Sequence, residues 1–144
     1  QQMTRRIDKR NLARTANYLV GTGMTRSAAF KAAWLMAKRG GVTKVEGVTY
    51  DNRQRLIARL ATYSPDMVSI TLQQDKANLF DPLAVAVVAS VRGKGSATIG
   101  FIPAMTARTL SRLIDRGTAL KASLEGIAGG YDGLSYGARL RVAI

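Results

Sequence analysis

The sequence predicts an α+β protein whose sheet is mainly antiparallel and barrel-like. Three observations support this prediction. Strand and helix patterns follow one another in the order β-α-β-β-β-α-β-β after residue 41. Glycine-rich segments join neighbouring strand patterns, as turns do in antiparallel hairpins. The chain has 144 residues, 47% of them apolar, which is enough for one domain with its own core.

Residues 1–40 predict a basic helical hairpin that precedes a domain at 41–144. Apolar residues recur at helical spacing from Leu12 to Val20, and the glycines after them end the run. Thr25 is the predicted N-cap of a second helix that continues to Lys38. The apolar stripe of that helix is predicted at Ala28, Ala32, Leu35 and Met36. We expect Phe30 and Trp34, one helical turn apart, to be buried against the barrel, with base stacking as the less favoured alternative.

The remaining elements are predicted in chain order from periodicity and turn residues. They are a strand over 42–50, a helix over 52–62, strands over 67–73, 83–91 and 97–102, a helix from 103 to 115 or 116, and strands over 120–127 and 138–144. The strand over 83–91 is almost wholly apolar and is therefore expected to be central. Pro103 fits the first turn of its helix. The glycine-rich loop over 129–137 is either a mobile lid or an ordinary hairpin loop.

The charge of the chain is strongly positive and unevenly distributed. There are 22 Lys and Arg against 9 Asp and Glu, a net charge of +13, and the first 40 residues contain a single acid, Asp8. Such a charge favours an anionic partner, above all nucleic acid. The basic residues of the N-terminal segment expected to contact phosphates are Arg5, Arg6, Lys9 and Arg10, the alternative being a solvated surface.

The absence of His and Cys excludes whole classes of function. Thiol catalysis, disulfides, Cys-based zinc sites and Ser-His mechanisms all need those residues. Asp75 and Asp81 lack the further carboxylates that two-metal hydrolysis requires. We therefore expect a protein that is not an enzyme and binds neither cofactor nor metal. No apolar run approaches the roughly 18 residues of a membrane span, and no signal peptide precedes the first helix, so a cytoplasmic location without membrane contact is expected.

Two motifs in the middle of the chain resemble the HIRAN domain family. The first is Asn78-Leu79-Phe80-Asp81 followed by an Ala-Val-x-Val run, and the second is Gly100-Phe101-Ile102-Pro103. The segment from Val45 to Tyr50 is similar to the opening strand of the family. The resemblance covers about 42–144 and implies a small OB-like or SH3-like barrel of a bacterial or phage protein. Leu79 stands where the family pattern has proline, and Phe80 takes a position that is often tyrosine.

The resemblance also implies a function for the residues that carry it. The best understood HIRAN domains bind single-stranded DNA and hold its 3′-hydroxyl end. The resemblance implies that Tyr50, Phe80 and Asp81 form the pocket for this end, and Asn78, in the same motif, is also expected in the binding site. Aromatic faces stack on unpaired bases, and a carboxylate accepts a hydrogen bond from a sugar hydroxyl while repelling a terminal phosphate. From their place at a hairpin tip, Arg92 and Lys94 are expected to reach phosphates, or else to be solvated turn residues.

Other interpretations of the same residues stay open on the sequence alone. Asn78 and Asp81 are typical of turns in which the side chain bonds its own backbone, and Phe80 would then pack against the protein. For the whole protein, the main alternative is a phage or mobile-element interaction module that binds an acidic host protein, such as a nuclease or replication factor. A nucleoid- or virion-associated duplex binder is a third possibility. A DNA-processing protein is a further potential partner, and no pattern predicts the oligomeric state.

Overall fold

The structure is a computed structural model that describes residues 7–144, with only the backbone at positions 39 and 40. It is an α+β protein, and its elements follow the predicted order. The helices are α1 (Lys9–Gly21), α2 (Arg26–Ala37), α3 (Arg53–Leu60) and α4 (Ala104–Asp115). The strands are β1 (Val42–Lys44), β2 (Val68–Gln74), β3 (Val85–Val91), β4 (Gly95–Phe101), β5 (Lys121–Ala128) and β6 (Gly137–Ala143).

The six strands form one antiparallel sheet in the order β1-β6-β5-β2-β3-β4. The sheet curls until its two edge strands meet at one point. Glu46, two residues beyond β1, exchanges two backbone hydrogen bonds of 2.8 Å with Phe101 at the end of β4. The result is a curled half-barrel, which agrees with the predicted small antiparallel barrel. β3 has a neighbour on each side but lies next to the edge, so the prediction that it is the central strand is wrong.

Gly100 makes the meeting of the two edges possible. A Cβ atom at this position would overlap the carbonyl oxygen of Glu46 and the side chain of Val45. The backbones of β4 and of the segment after β1 can approach this closely because glycine has no side chain.

The N-terminal helices are capped by the side chains that precede them. Asp8 Oδ1 accepts hydrogen bonds from the backbone N–H groups of Arg10 and Asn11, at 3.0 and 3.2 Å. Thr25 Oγ1 accepts from Ala28 N at 3.2 Å, so the predicted N-cap of α2 is confirmed. Each cap satisfies N–H groups that have no partner within the helix.

The core lies between the sheet and the helices. Its largest fully buried apolar side chains come from the strands and from α1, α3 and α4: Leu19, Ile57, Val85, Val87, Ile99, Leu110, Leu113 and Leu140. Leu19, Met24, Ala29 and Ala32 belong to the same continuous cluster as the strand residues. The division between 1–40 and 41–144 stays a prediction, and the core runs across it.

Most boundaries after residue 50 fall within two residues of the predicted ones, and two differences in the chain have a clear structural cause. The predicted strand over 42–50 stops at Lys44, because turns follow in which Gly47 and Asp51 adopt φ values of +70° and +54°. A positive φ interrupts a strand, and glycine adopts it without strain. Pro103 is the N-cap residue of α4 rather than part of its first turn.

Candidate nucleic-acid interface

The loop between β2 and β3 is shaped by hydrogen bonds from Asn78. The Oδ1 atom of this residue accepts from the backbone N–H groups of Phe80 and Asp81, at 2.9 and 3.0 Å. Its Nδ2 donates to Asp75 Oδ2 at 3.3 Å. An asparagine that accepts from the backbone two and three residues ahead holds a tight turn, so Asn78 has the turn-forming role that its residue type suggested.

Asp81 continues this arrangement into the start of β3. Its Oδ1 accepts from Leu83 N at 2.9 Å, and its backbone oxygen accepts from Ala84 N at 3.1 Å. Within residues 7–144 the other carboxylate oxygen, Oδ2, accepts no hydrogen bond. The half-buried carboxylate therefore both shapes the loop and retains a free acceptor.

The tip of this loop presents two apolar side chains to solvent. Phe80 is 99% exposed and its neighbour Leu79 is 95% exposed. The alternative that Phe80 packs against the protein is therefore wrong. Burying a side chain of this size contributes roughly 1.5–3 kcal/mol. Because the loop holds Phe80 in solvent, this contribution is still available when a partner covers the ring.

Tyr50 lies in the turn after β1 and is 68% exposed, not at the end of a strand as predicted. The turn is fixed by Arg53, whose Nη1 donates to Gly47 O at 2.7 Å. The guanidinium of Arg53 also lies over the Phe101 ring, 5.2 Å from its centroid, where a cation is attracted by the aromatic face.

Phe101 relates the two aromatic positions to each other. It pairs with Ala86 of β3 on one side and with Glu46 on the other. The loop that carries Phe80 leads into β3, and the turn that carries Tyr50 follows Glu46. The two segments thus flank the same end of β4, although Phe80 is too exposed for its ring to touch that of Tyr50.

The predicted basic contacts lie elsewhere. Arg92 and Lys94 are exposed in the turn between β3 and β4. That turn lies at the opposite end of β3 from Phe80, and the seven-residue strand between them is about 20 Å long at 3.3 Å per residue. Lys9 and Arg10 are exposed in the first turn of α1, and Arg5 and Arg6 lie outside the described residues. The predicted cations that the structure describes therefore lie on separate elements, the β3–β4 turn and α1, and neither element carries Phe80.

Phe30 and Trp34 are not buried against the barrel, which corrects the prediction for them. They are 53% and 43% exposed, and their rings stack with centroids 6.4 Å apart and planes inclined by 23°. Small residues occupy the buried side of α2 instead, namely Ala29, Ala32 and Ala33. Their i, i+3, i+4 spacing in the sequence was the signal that could have located the exposed aromatic side.

A cavity and the loop between β5 and β6 include none of the predicted site residues. A cavity of about 660 Å³ lies beside β1 and is lined by residues such as Met36, Val42, Lys44, Pro103 and Leu110, but by none of the predicted site residues. The loop after β5 is anchored at its far end, where Gln54 exchanges two hydrogen bonds with the Tyr136 backbone, 2.7 and 2.8 Å long.

Residues 7–144 contain no cluster of three carboxylates that could hold a metal ion, and no helix in this range is long and apolar enough to cross a membrane.

No protein-family model matches the chain, and no curated protein matches it. One solved structure is similar, a structural-genomics crystal structure of a protein from Lactobacillus plantarum. It has 21% sequence identity and a TM-score of 0.49, over 72% of this chain and 93% of that one.

Proposed function

We propose that the protein is a non-catalytic protein that binds single-stranded nucleic acid, with single-stranded DNA as its preferred ligand. In this proposal a HIRAN-like, OB-type barrel holds the 3′ end of a strand, and an N-terminal helical hairpin adds affinity for phosphates. The function needs no cofactor, and the lack of His and Cys is compatible with binding rather than catalysis.

The observation that carries the proposal is the exposure of Phe80 on a loop whose conformation is fixed by Asn78 and Asp81. An aromatic ring that is already held in solvent binds an unpaired base without first leaving a packed position. Stacking of a base on such a ring contributes about 1–3 kcal/mol. A net charge of +13 supplies the sequence-independent attraction that holds the phosphates.

Asp81 is suited to distinguish the end of a strand. Its Oδ2 is free to accept a hydrogen bond from a terminal 3′-hydroxyl, while its negative charge repels a terminal phosphate. Tyr50, at the other side of the end of β4, is the second aromatic surface that the proposal assigns to the strand.

The proposal is tested by equilibrium binding of labelled single strands that end in either a 3′-hydroxyl or a 3′-phosphate. We expect binding near physiological salt, about 0.15 M, with preference for the hydroxyl. Absence of single-strand binding at that salt would refute the proposed function. Equal affinity for the two ends would remove the assignment of Asp81 but would leave strand binding intact.

A further inference from the structure

One side of α2, together with the residue that directly follows the helix, carries a regular row of aromatic and basic side chains. Arg26, Phe30, Trp34 and Lys38 follow one another at intervals of four residues, and all four are exposed. Residues four apart lie on the same side of a helix, one turn above the other. At 1.5 Å per residue the row is about 18 Å long. We refer to these four residues as the α2 stripe.

The two rings of the α2 stripe form a paired apolar surface that faces solvent. Their centroids are 6.4 Å apart, and the planes are within 23° of parallel. The side of the helix that faces the core is occupied by buried alanines, and about half of each ring is exposed. Large exposed aromatic side chains in this arrangement mark a binding surface rather than a core.

The ends of the α2 stripe are cationic and not neutralised. In the part of the chain that the structure describes, neither Arg26 nor Lys38 lies within ion-pair distance of a carboxylate. Lys31, exposed on the same helix, adds a third positive charge. A surface that combines uncompensated cations with exposed aromatic rings is complementary to a polyanion whose units have flat apolar faces, as single-stranded nucleic acid does.

We propose that the α2 stripe is a second contact surface for single-stranded nucleic acid, distinct from the site around Phe80. Bases stack on Phe30 and Trp34, and phosphates contact Arg26 and Lys38. This inference rests on the proposed function and extends it, because a strand bound at its end by the barrel is then also held by the helical segment.

Trp34 is the single tryptophan of the chain and therefore reports directly on this surface. We expect its fluorescence to be quenched when the full-length protein is titrated with an oligothymidylate of about 16 nucleotides, the upper end of the site size of one OB fold. Anisotropy of a dye on the same oligonucleotide measures total binding independently. In Phe80→Ala protein the affinity falls, but the quenching at saturation stays.

Substitutions then test the energetic contribution of the α2 stripe. We expect Trp34→Leu and Phe30→Leu to weaken binding by about fivefold or more each, as the loss of one stacked base does. Tyr131→Leu, at an exposed aromatic residue outside the α2 stripe, is the matched control and leaves affinity unchanged. Circular dichroism and thermal unfolding establish that each variant keeps its fold.

Three outcomes would overturn the inference in different ways. In the first, the dye reports binding, the Trp34 emission of the wild-type protein does not change, and both leucine variants bind with wild-type affinity. The α2 stripe is then not a contact surface, and the proposed function survives. If polyglutamate quenches Trp34 as strongly as the oligonucleotide does, the surface fits an acidic protein instead. If the dye reports no binding to the wild-type protein, the inference fails together with the proposed function.

Discussion

Asn78 makes three side-chain hydrogen bonds within the β2–β3 loop. Two of them satisfy backbone N–H groups, which an alanine cannot do. We predict that Asn78→Ala lowers the free energy of unfolding by about 1–2 kcal/mol, measured by urea denaturation. Asn78→Ser keeps a side-chain oxygen that can accept from nearby backbone N–H groups, places no charge beside Asp75, and should lose clearly less. Equal losses for the two variants would show that the acceptor does not stabilise the loop.

In the proposed function the Asp81 carboxylate has two roles, a hydrogen bond that shapes the loop and a negative charge that faces the strand end, and one substitution separates them. Asp81→Asn keeps an oxygen that can accept from Leu83 N but removes the negative charge. We predict that this variant unfolds within about 0.5 kcal/mol of the wild type, while its preference for a 3′-hydroxyl over a 3′-phosphate largely disappears. Competition between the two oligonucleotides measures the preference. An undiminished preference would mean that another group recognises the strand end.

The conformation of the β2–β3 loop could be predicted from single residues, but the exposure of its aromatic ring could not. The turn formed by Asn78 follows from the residue type, because its side chain reaches its own backbone. The exposure of Phe80 does not follow from the sequence, since a pair of apolar residues between Asn78 and Asp81 is compatible with either packing or solvent. The predicted burial of Phe30 and Trp34 was wrong, because three alanines occupy the buried side of α2.

Among the elements, periodicity and turn residues identified every strand and helix after residue 41, and the errors lie at their ends. β2 and α4 fall within one or two residues of the predicted bounds, because alternation and helical spacing are strong there. β1 is shorter than predicted, because Gly47 and Asp51 turn the chain through positive φ angles. Its pairing with β6, distant in sequence, depends on the whole sheet and could not be predicted from a local pattern.

The meeting of the two sheet edges yields a prediction for Gly100. A side chain there would overlap the backbone of Glu46, so Gly100→Ala must separate the segment after β1 from β4. We predict a loss of about 1–3 kcal/mol in the free energy of unfolding. Gly126→Ala in β5 is the matched control, since no atom lies within 4 Å of its added Cβ. If both variants unfold alike, the close approach at Gly100 does not limit stability.

At the scale of the molecule, the positive charge is spread over several surfaces. Arg92 and Lys94 lie at one end of β3, Phe80 lies beyond the other, and Lys9 and Arg10 lie on α1. A protein that contacts six phosphates of a single strand gives a slope of roughly −4 for log affinity against log salt, because each contact contributes about 0.7.

We predict that Arg92→Gln combined with Lys94→Gln makes this slope shallower by about 1.4, as expected for two lost phosphate contacts. A salt titration of oligonucleotide binding measures it. An unchanged slope would show that this hairpin tip is a solvated turn, and that the strand follows another path over the surface.

The most direct test of the proposed function compares Phe80→Ala with Leu79→Ala. The two neighbouring side chains are almost equally exposed, but only Phe80 has a flat aromatic face. Binding of a 3′-hydroxyl single strand should weaken by roughly 5- to 150-fold in Phe80→Ala, the equivalent of about 1–3 kcal/mol of base stacking. Leu79→Ala should bind within about threefold of the wild type. Equal affinities for Phe80→Ala and the wild type would contradict the account.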